Sequence, residues 1–199
     1  GYSGYSHGYK YGDIGFNKGE LQYTTHFSEW NTITMGGEFR QQIIDYLIEN
    51  PNGSTIQVDE EVNNAAFYLQ DEITLLKELT IVPGVRYDDH SDFGGETNPK
   101  LSLMYKLSPN TTLRGSVGRI YKSPTIRQLY YSEPYEHGNY YIRSNPDLDP
   151  EKGWGYTFNI QRYLLNNKIL FNLGLFRNDL EDKVVRQVIG EYKNTGKDL

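Results

Sequence analysis

The sequence predicts an all-β protein of roughly ten strands, an antiparallel up-and-down transmembrane β-barrel. Three observations support the prediction. Hydrophobic residues make up only 37% of the 199 residues, yet 14% are aromatic and 20 are glycine. Segments of about ten residues alternate between apolar and polar side chains. Tight turns alternate with longer polar loops. A sheet with one apolar face and one polar face explains all three observations.

The alternation is clearest in residues 100–107, where three leucines and Tyr105 occupy one face and two lysines, Ser102 and Met104 occupy the other. Successive side chains of a strand point to opposite faces, so one face suits hydrocarbon or a core and the other suits water. The same alternation is found in residues 79–88, 154–161 and 169–175.

We expect the tight turns and the long loops to lie at opposite ends of one sheet. Residues 42–49 could form a helical turn or two within the first long loop, and residues 1–11 fit either a strand or a flexible lead-in. Pro83 predicts a bulge or an edge strand, because proline has no N–H to donate a hydrogen bond to a neighbouring strand. The expected strands are residues 20–30, 31–40, 65–76, 79–88, 100–107, 111–122, 153–164 and 169–180, with a last pair near 184–189 and 192–195. The expected turns are 28–31, 77–78, 108–110 and 166–167, and the expected loops are 41–63, 89–97 and 123–151, the last with a helical turn at 125–130.

A soluble β-sandwich that binds carbohydrate is the alternative from a different class, since sandwich strands also alternate. Two features favour the barrel. The expected strands reach about ten residues, beyond the usual five or six. Aromatic residues also crowd the strand ends, where the interfacial girdles of membrane barrels lie. These aromatic residues are Tyr11, Trp30, Tyr87, Tyr105, Tyr121, Trp154 and Tyr163.

Composition excludes several function classes. The net charge of −6 and the lack of a basic stripe argue against a nucleic-acid partner. With no cysteine there is no disulfide, thiolate metal site or thiol nucleophile. No nucleophile elbow, phosphate-binding glycine loop or helical histidine pair is present, so we expect no catalytic residue, enzyme activity or cofactor. Asp88, Asp89 and Asp92, which cluster with His90, could offer oxygens to Ca²⁺, but their spacing fits no EF-hand loop and we expect no metal.

Six motifs resemble those of TonB-dependent outer-membrane receptors, in the family's order and spacing. They are residues 31–40 (NTITMGGEFR), 68–72 (YLQDE), 83–88 (PGVRYD), 98–100 (NPK), 121–124 (YKSP) and 145–151 (NPDLDPE), and residues 176–184 and 192–196 fit the pattern that follows.

The resemblance implies a ligand-gated importer of the Gram-negative outer membrane, in which a barrel of about 22 strands surrounds a plug. Outer-membrane lipid, a small-molecule ligand and a TonB-type energy-coupling protein that acts on the plug would be its partners. Residues 1–199 show no plug and no coupling box, so we expect them to be an internal part of such a barrel. Two open sheet edges would then invite self-association.

The same resemblance places residues 123–151 at the extracellular mouth, where aromatic faces and cations could hold an anionic iron chelate. A ferric siderophore is the first expectation for the transported ligand and haem the second. His137 could ligate haem iron, and the alternative for His137 is a solvated surface histidine. Glu151 and Asp149 are expected to accept hydrogen bonds from backbone N–H groups at the start of a strand. The candidate ligand-binding residues are Arg127, Tyr130, Tyr131, Tyr135, His137, Tyr140, Tyr141 and Arg143.

Overall fold

The computed structural model describes residues 9–49, 55–130, 135–137, 140–142, 144–186 and 192–194. Eight long strands within these ranges form one antiparallel sheet in the order β1-β2-β3-β4-β5-β6-β9-β10. Their bounds are β1 Tyr9–Ser28, β2 Asn31–Glu49, β3 Thr55–Leu76, β4 Leu79–His90, β5 Gly94–Ser108, β6 Thr111–Lys122, β9 Glu151–Leu164 and β10 Ile169–Glu181. The up-and-down, all-β prediction is confirmed.

The remaining elements are small. Helix α1, Ile126–Tyr130, follows β6, and the hairpins β7–β8 (Tyr135–His137, Tyr140–Ile142) and β11–β12 (Val184–Arg186, Tyr192–Asn194) each form their own two-stranded sheet. The described strands thus number twelve, where roughly ten were expected. Among the described residues, no helix has the length and apolar character needed to cross a membrane.

The short turns lie where the sequence predicts them. The connections at residues 29–30, 77–78, 109–110 and 165–168 all fall at one end of the sheet, here called the lower end. Leu165, Asn166 and Asn167 adopt positive φ angles of 49°, 55° and 65°, and asparagine tolerates that conformation better than most residues. The connection between β6 and β9 lies at the opposite, upper end.

The prediction of a loop at residues 41–63 is wrong. β2 and β3 extend into this range and stay paired up to Glu49 and Thr55, and β1 pairs with β2 from Tyr9 onward. We call this three-stranded extension, residues 9–19, 41–49 and 55–63, the blade. Adjacent apolar residues such as Ile43 and Ile44 break the alternation within it, which is why its sequence does not resemble a half-buried strand.

The prediction of a loop at residues 89–97 is also wrong, because most of these residues belong to strands. β4 and β5 stay paired up to His90 and Gly94, which leaves a turn of residues 91–93. Gly94 closes this turn at φ +70°, a conformation that suits glycine. Long loops therefore do not occupy every upper connection.

Pro83 is accommodated by neither a bulge nor an edge. β4 lies between β3 and β5, and Pro83 pairs with Leu101 of β5. On the β3 side, the bridges run from Gln70 and Gly84 directly to Ile73 and Ile81 without a change of register. The missing N–H thus interrupts the ladder locally without displacing the strands.

The two faces of the lower sheet differ in polarity. Cross-strand partners share a face, so the register assigns Leu69, Val85, Leu101, Leu103 and Phe158 to one face, here called the outer face. These side chains are more than a third exposed. The opposite, inner face carries the charged residues described below. A single sheet layer that exposes its apolar side chains differs from the alternative of a sandwich, which would bury them.

Polarity is inverted in the blade. Its outer face carries Asp13, Asp45 and Asp59, which are direct cross-strand neighbours and all exposed. Its inner face carries Ile44 and Val58, which are buried. The outer apolar band therefore ends where the blade begins.

Candidate ligand-binding site

The inner face of the lower sheet is organised around Glu38 of β2, whose side chain is only 7% exposed. Its carboxylate forms ion pairs with cations from three strands, at N···O distances of 2.7 Å to Lys18, 2.6 Å to Arg40 and 2.8 Å to Arg86. Alternation explains the convergence, since Lys18 and Arg40 are cross-strand partners and Glu38 is two residues from Arg40 on the same face. One buried carboxylate thus ties β1, β2 and β4 together.

Asp88 of β4 extends this network. Arg86 donates to both carboxylate oxygens of Asp88 at 3.0 Å, and the amides of Asn98 and Asn64 donate at 3.3 Å and 3.5 Å. Register places Asn64 beside His90 and Asn98 opposite Arg86, so all of these groups lie on the inner face. β3 and β5 are thereby joined to the same polar surface.

Tyr68 crosses the network next to Gly36, with which it is paired. A Cβ on Gly36 would lie 2.5 Å from the phenol, so glycine is needed for the ring to lie there. The hydroxyl of Tyr68 then donates to Gln22 at 3.0 Å and to Glu20 at 3.2 Å. The tyrosine of the 68–72 motif thus reaches across β2 to β1.

Two further carboxylates hold the upper ends of β5, β6 and β9. Glu96 pairs with Lys152 at 2.5 Å and more distantly with Arg119 at 3.8 Å. Glu151 accepts from Lys122 at 3.0 Å and from the backbone N–H of Val184 at 2.8 Å. Glu151 therefore accepts a backbone hydrogen bond at the start of a strand as expected, although the strand is β11 and not its own strand β9.

In nine ion pairs of the sheet, the cation is more exposed than its carboxylate. Lys18 and Arg40 are 42% and 44% exposed over a nearly buried Glu38. Although the chain is acidic, its inner face presents positive groups to solvent. We call Lys18, Glu38, Arg40, Arg86 and Asp88 the inner charge network.

A cavity of about 520 Å³ lies on the inner face below the upper connection. Four cations contribute to its lining, from β2, β4 and β6. The lining also includes Asn64, Asn98 and Tyr121, and each of these has a buried polar atom without a hydrogen-bond partner in the described structure. The lining cations are Arg40, Arg86, Arg119 and Lys122.

Helix α1 forms as the sequence predicts, and a capping box explains its start. Gln128 N–H donates to the Thr125 hydroxyl at 3.3 Å, and Thr125 N–H donates back to the Gln128 side chain at 2.8 Å. The helix then packs on the inner face of the blade, where Ile126 joins Ile44 and Val58 in an apolar cluster. The connection after β6 therefore folds inward over the sheet.

Tyr130, a candidate ligand residue, serves as an anchor for α1. Its ring packs against the same apolar cluster, and its hydroxyl donates to Asp92 in the β4–β5 turn at 2.7 Å. Burial, and then the hydrogen bond to the carboxylate, raise the pKa of Tyr130 to about 12. This phenol is therefore a neutral donor at ordinary pH.

The second half of the connection is tied to α1. Ser144 donates to the carbonyl of Arg127 at 2.7 Å, and Asn145 N–H donates to the carbonyl of Gln128 at 2.8 Å. Leu148, in the middle of the 145–151 motif, is 2% exposed. The side chain of Arg127, another candidate, is exposed.

The other candidates lie partly or wholly outside the described residues. β7 and β8 pair His137 with Tyr140 and place Tyr135 opposite Ile142 and Tyr141 opposite Glu136. Only the backbone of that hairpin is described, so the four candidate side chains stay predictions. Tyr131 and Arg143 lie outside the described residues.

The acidic segment before the β4–β5 turn is divided between the two faces. Asp88 belongs to the inner charge network, and Asp89 is on the other face by alternation. The His90 ring packs 5.0 Å from Phe93, and its Nδ1 accepts the N–H of Asp92 at 3.2 Å. No group of three or more acidic or histidine side chains within the described ranges is placed to hold a metal ion.

The inner charge network cannot be recognised as a site from the sequence alone. Glu38 and Arg40 lie in the 31–40 motif, and Arg86 and Asp88 lie in the 83–88 motif. The available signal is the charge at alternate positions of strands that are otherwise apolar. What the sequence lacks is the register that brings these strands' charges together.

The fold and its polarity define the chain as part of a β-barrel wall, apolar outside and polar inside. A family model described as "TonB dependent receptor-like, beta-barrel" matches residues 1–198. The chain therefore belongs to the TonB-dependent receptor β-barrel family.

Relatives from Pseudomonas aeruginosa are similar along most of the chain. The ferric enterobactin receptor PirA is 29% identical over 182 residues, which is 82% of this chain and 24% of that protein. A second ferric enterobactin receptor is 25% identical over 191 residues, or 83% of this chain and 25% of the relative. The chain thus spans about a quarter of the length of these curated relatives.

A solved structure shows the same fold. The crystal structure of the siderophore receptor PirA from Pseudomonas aeruginosa superposes with a TM-score of 0.71 at 26% identity, covering 92% of this chain and 34% of that one. The ferric-catecholate import receptor Fiu from Escherichia coli K12, at 16% identity and a TM-score of 0.65, supports the fold alone.

Proposed function

We propose that this chain forms part of the barrel wall of an outer-membrane receptor that imports a ferric siderophore, most closely one of the catecholate class. The observation that carries the proposal is the agreement between its relatives, named as ferric enterobactin receptors, and an inner face that exposes cations over buried carboxylates. Ferric catecholates are aromatic and anionic, so they match such a surface. The protein would act as a transporter and not as an enzyme.

The polarity of the sheet supports an orientation in the membrane. The apolar outer face of the lower sheet would contact outer-membrane lipid, and the short turns would face the periplasm. The blade and residues 123–151 would then project from the extracellular mouth, where a solute arrives first. Energy for uptake would come from a TonB-type protein acting through a plug within the barrel.

Residues 123–151 are proposed to contact the ligand. The exposed side chain of Arg127 and the β7–β8 hairpin, which carries Tyr135, His137, Tyr140 and Tyr141, lie beyond the anchoring contacts of α1. Tyr130 would act by fixing the helix that supports these residues. Tyr131 and Arg143 remain candidates from the sequence.

The test is a titration of the intact receptor in detergent with ferric enterobactin, a ferric hydroxamate and haem. We expect saturable binding of the catecholate, weaker by about tenfold in Arg127→Ala, since a charged hydrogen bond to the ligand is lost. His137→Ala should weaken catecholate binding less than Arg127→Ala does, because the chelate already holds the iron and needs no histidine ligand. A haem Soret shift that disappears in His137→Ala would contradict the proposal and favour a haem receptor.

A further inference from the structure

The inner face of the blade is only partly covered. Helix α1 packs over β2 and β3, where Ile44 and Val58 are buried. On the neighbouring β1, Ile14 pairs with Ile44 and Phe16 pairs with Gln42, so both side chains lie on the same inner face. Ile14 and Phe16 are nevertheless 61% and 63% exposed. The apolar surface of the inner face therefore continues beyond the edge of α1.

The next pair down this face is cationic. Lys18 follows Phe16 by two residues and pairs with Arg40. Both cations bind the buried Glu38 from above, and each remains more than 40% exposed. The carboxylate positions the two cations without shielding them from a solute in the lumen.

The distance between the two features suits one chemical group. Two residues along a strand span about 7 Å, so an aromatic ring resting on Phe16 would have its edge close to Lys18 and Arg40. A catecholate combines an aromatic ring with adjacent anionic oxygens. Its ring would pack on Phe16 and Ile14, and its oxygens would accept from the two cations.

We infer that Ile14, Phe16, Lys18 and Arg40 form a contact site for a catecholate ring of the ferric chelate, on the strand wall and separate from residues 123–151. This inference rests on the proposed function, because it names where that ligand is held. The site joins an exposed apolar pair to an exposed cationic pair on one face. The outer face of the blade offers no such pairing, because its described β1 and β2 residues (Asp13, Gly15, Asn17, Gln41, Ile43 and Asp45) include no cation.

The experiment measures affinity of the intact receptor in detergent for ferric enterobactin, with Phe16→Ala as the test variant. Phe176→Ala is the matched control, since Phe176 is also on the inner face by register and 82% exposed, but lies on β10 at the other side of the sheet. We expect about tenfold weaker binding for Phe16→Ala and no change for Phe176→Ala. Phe16→Trp, which retains an aromatic face, should restore most of the affinity.

A second pair tests the cations. Lys18→Gln should weaken binding and reduce its salt dependence, whereas Lys100→Gln, an exposed lysine on the inner face of β5, should change neither.

A Phe16→Ala receptor that binds the catecholate as wild type does would overturn the inference, even if Arg127→Ala binds weakly. The inference would also be overturned if Phe16→Ala lowered only the melting temperature, because Phe16 would then pack against another part of the receptor. A wild-type receptor that binds no ferric catecholate would overturn the proposed function, and the inference with it.

Discussion

The blade continues three of the eight strands of the lower sheet, yet the faces of the two regions have opposite polarity. Below, the outer face is apolar and the inner face holds the charge network around Glu38. Above, the outer face carries Asp13, Asp45 and Asp59, and the inner face buries Ile44 under α1. The inversion shows that hydrogen-bonded strands continue across a change of surroundings, and that side-chain chemistry alone marks the boundary.

The largest expected effect comes from reversing the polarity of the outer face. Leu103→Arg places a charge in the middle of the apolar band and should reduce the free energy of unfolding in lipid by about 3 kcal/mol. The same change in the blade, Asp59→Arg, should be close to neutral because that position already faces water. Urea unfolding in phospholipid vesicles measures both variants. Equal losses would show that the blade is also in the bilayer.

Removal of the central carboxylate should have a comparable effect on the inner face. Glu38→Ala leaves three cations around a site that has lost its anion, and we expect a loss of about 3 kcal/mol in the free energy of unfolding. Glu20→Gln is the control, because Glu20 pairs with Lys18 but its side chain is 41% exposed. The control should lose far less stability. A neutral Glu38→Ala would mean that the network does not hold the strands together.

The contact between the β4–β5 turn and α1 should respond to one hydroxyl group. Tyr130→Phe keeps the ring in the apolar cluster but loses the hydrogen bond to Asp92, worth about 1 kcal/mol. Amide hydrogen exchange at residues 126–130 should become several-fold faster, while exchange in the lower sheet should not change. Unchanged exchange in α1 would show that the apolar contacts alone anchor it.

Acid should loosen the same turn through His90. Burial lowers the pKa of His90 below its usual 6.5, with the nearby Asp92 opposing the effect. The unfolded segment therefore binds the proton more readily than the folded one. The stabilising contribution of neutral His90 is full above about pH 6.5 and is lost as pH falls through the lower pKa that His90 has in the folded protein. Protonation also removes the Nδ1 acceptor used by the Asp92 N–H. Exchange at residues 91–93 should accelerate at pH 5.5 relative to pH 7.5 after correction for intrinsic rates, and His90→Gln should abolish that difference.

The smallest effect is expected on the outer face of the blade. Asp13, Asp45 and Asp59 are direct cross-strand neighbours, and like charges in that position repel. Asp45→Asn should therefore stabilise the blade by roughly a few tenths of a kcal/mol, most clearly at low salt. Amide exchange at residues 43–47 in 10 mM and 500 mM salt measures the change. Faster exchange in the variant at low salt would contradict it.

The lower sheet could be predicted from the sequence because local and long-range requirements coincide there. Alternation at residues 100–107 sets the faces, and Pro109 and Asn110 set the turn between β5 and β6. In the blade these requirements diverge. Both Ile43 and Ile44 are apolar although they point to opposite faces, so a strand there depends on pairing with β1 and β3, which the local sequence does not encode.

The site was predictable to a similar extent. The capping box at Thr125 and Gln128 is a local signal, and the helix it begins is present. The inner charge network depends on register across four strands, so Lys18 could not be assigned to Glu38 from their separation in sequence. In the sequence Tyr130 is one of several loop tyrosines, and its contacts with the apolar cluster and Asp92 depend on where the connection folds.

The exposure of cations above buried carboxylates has a kinetic consequence. Lys18 and Arg40 act on an anionic solute only within about 8 Å at physiological ionic strength, because salt screens exposed charges over that distance. An anion would therefore have to reach the inner face before these two cations could slow its departure. Added salt should then shorten the residence time of a bound anion more than it changes the rate of its arrival.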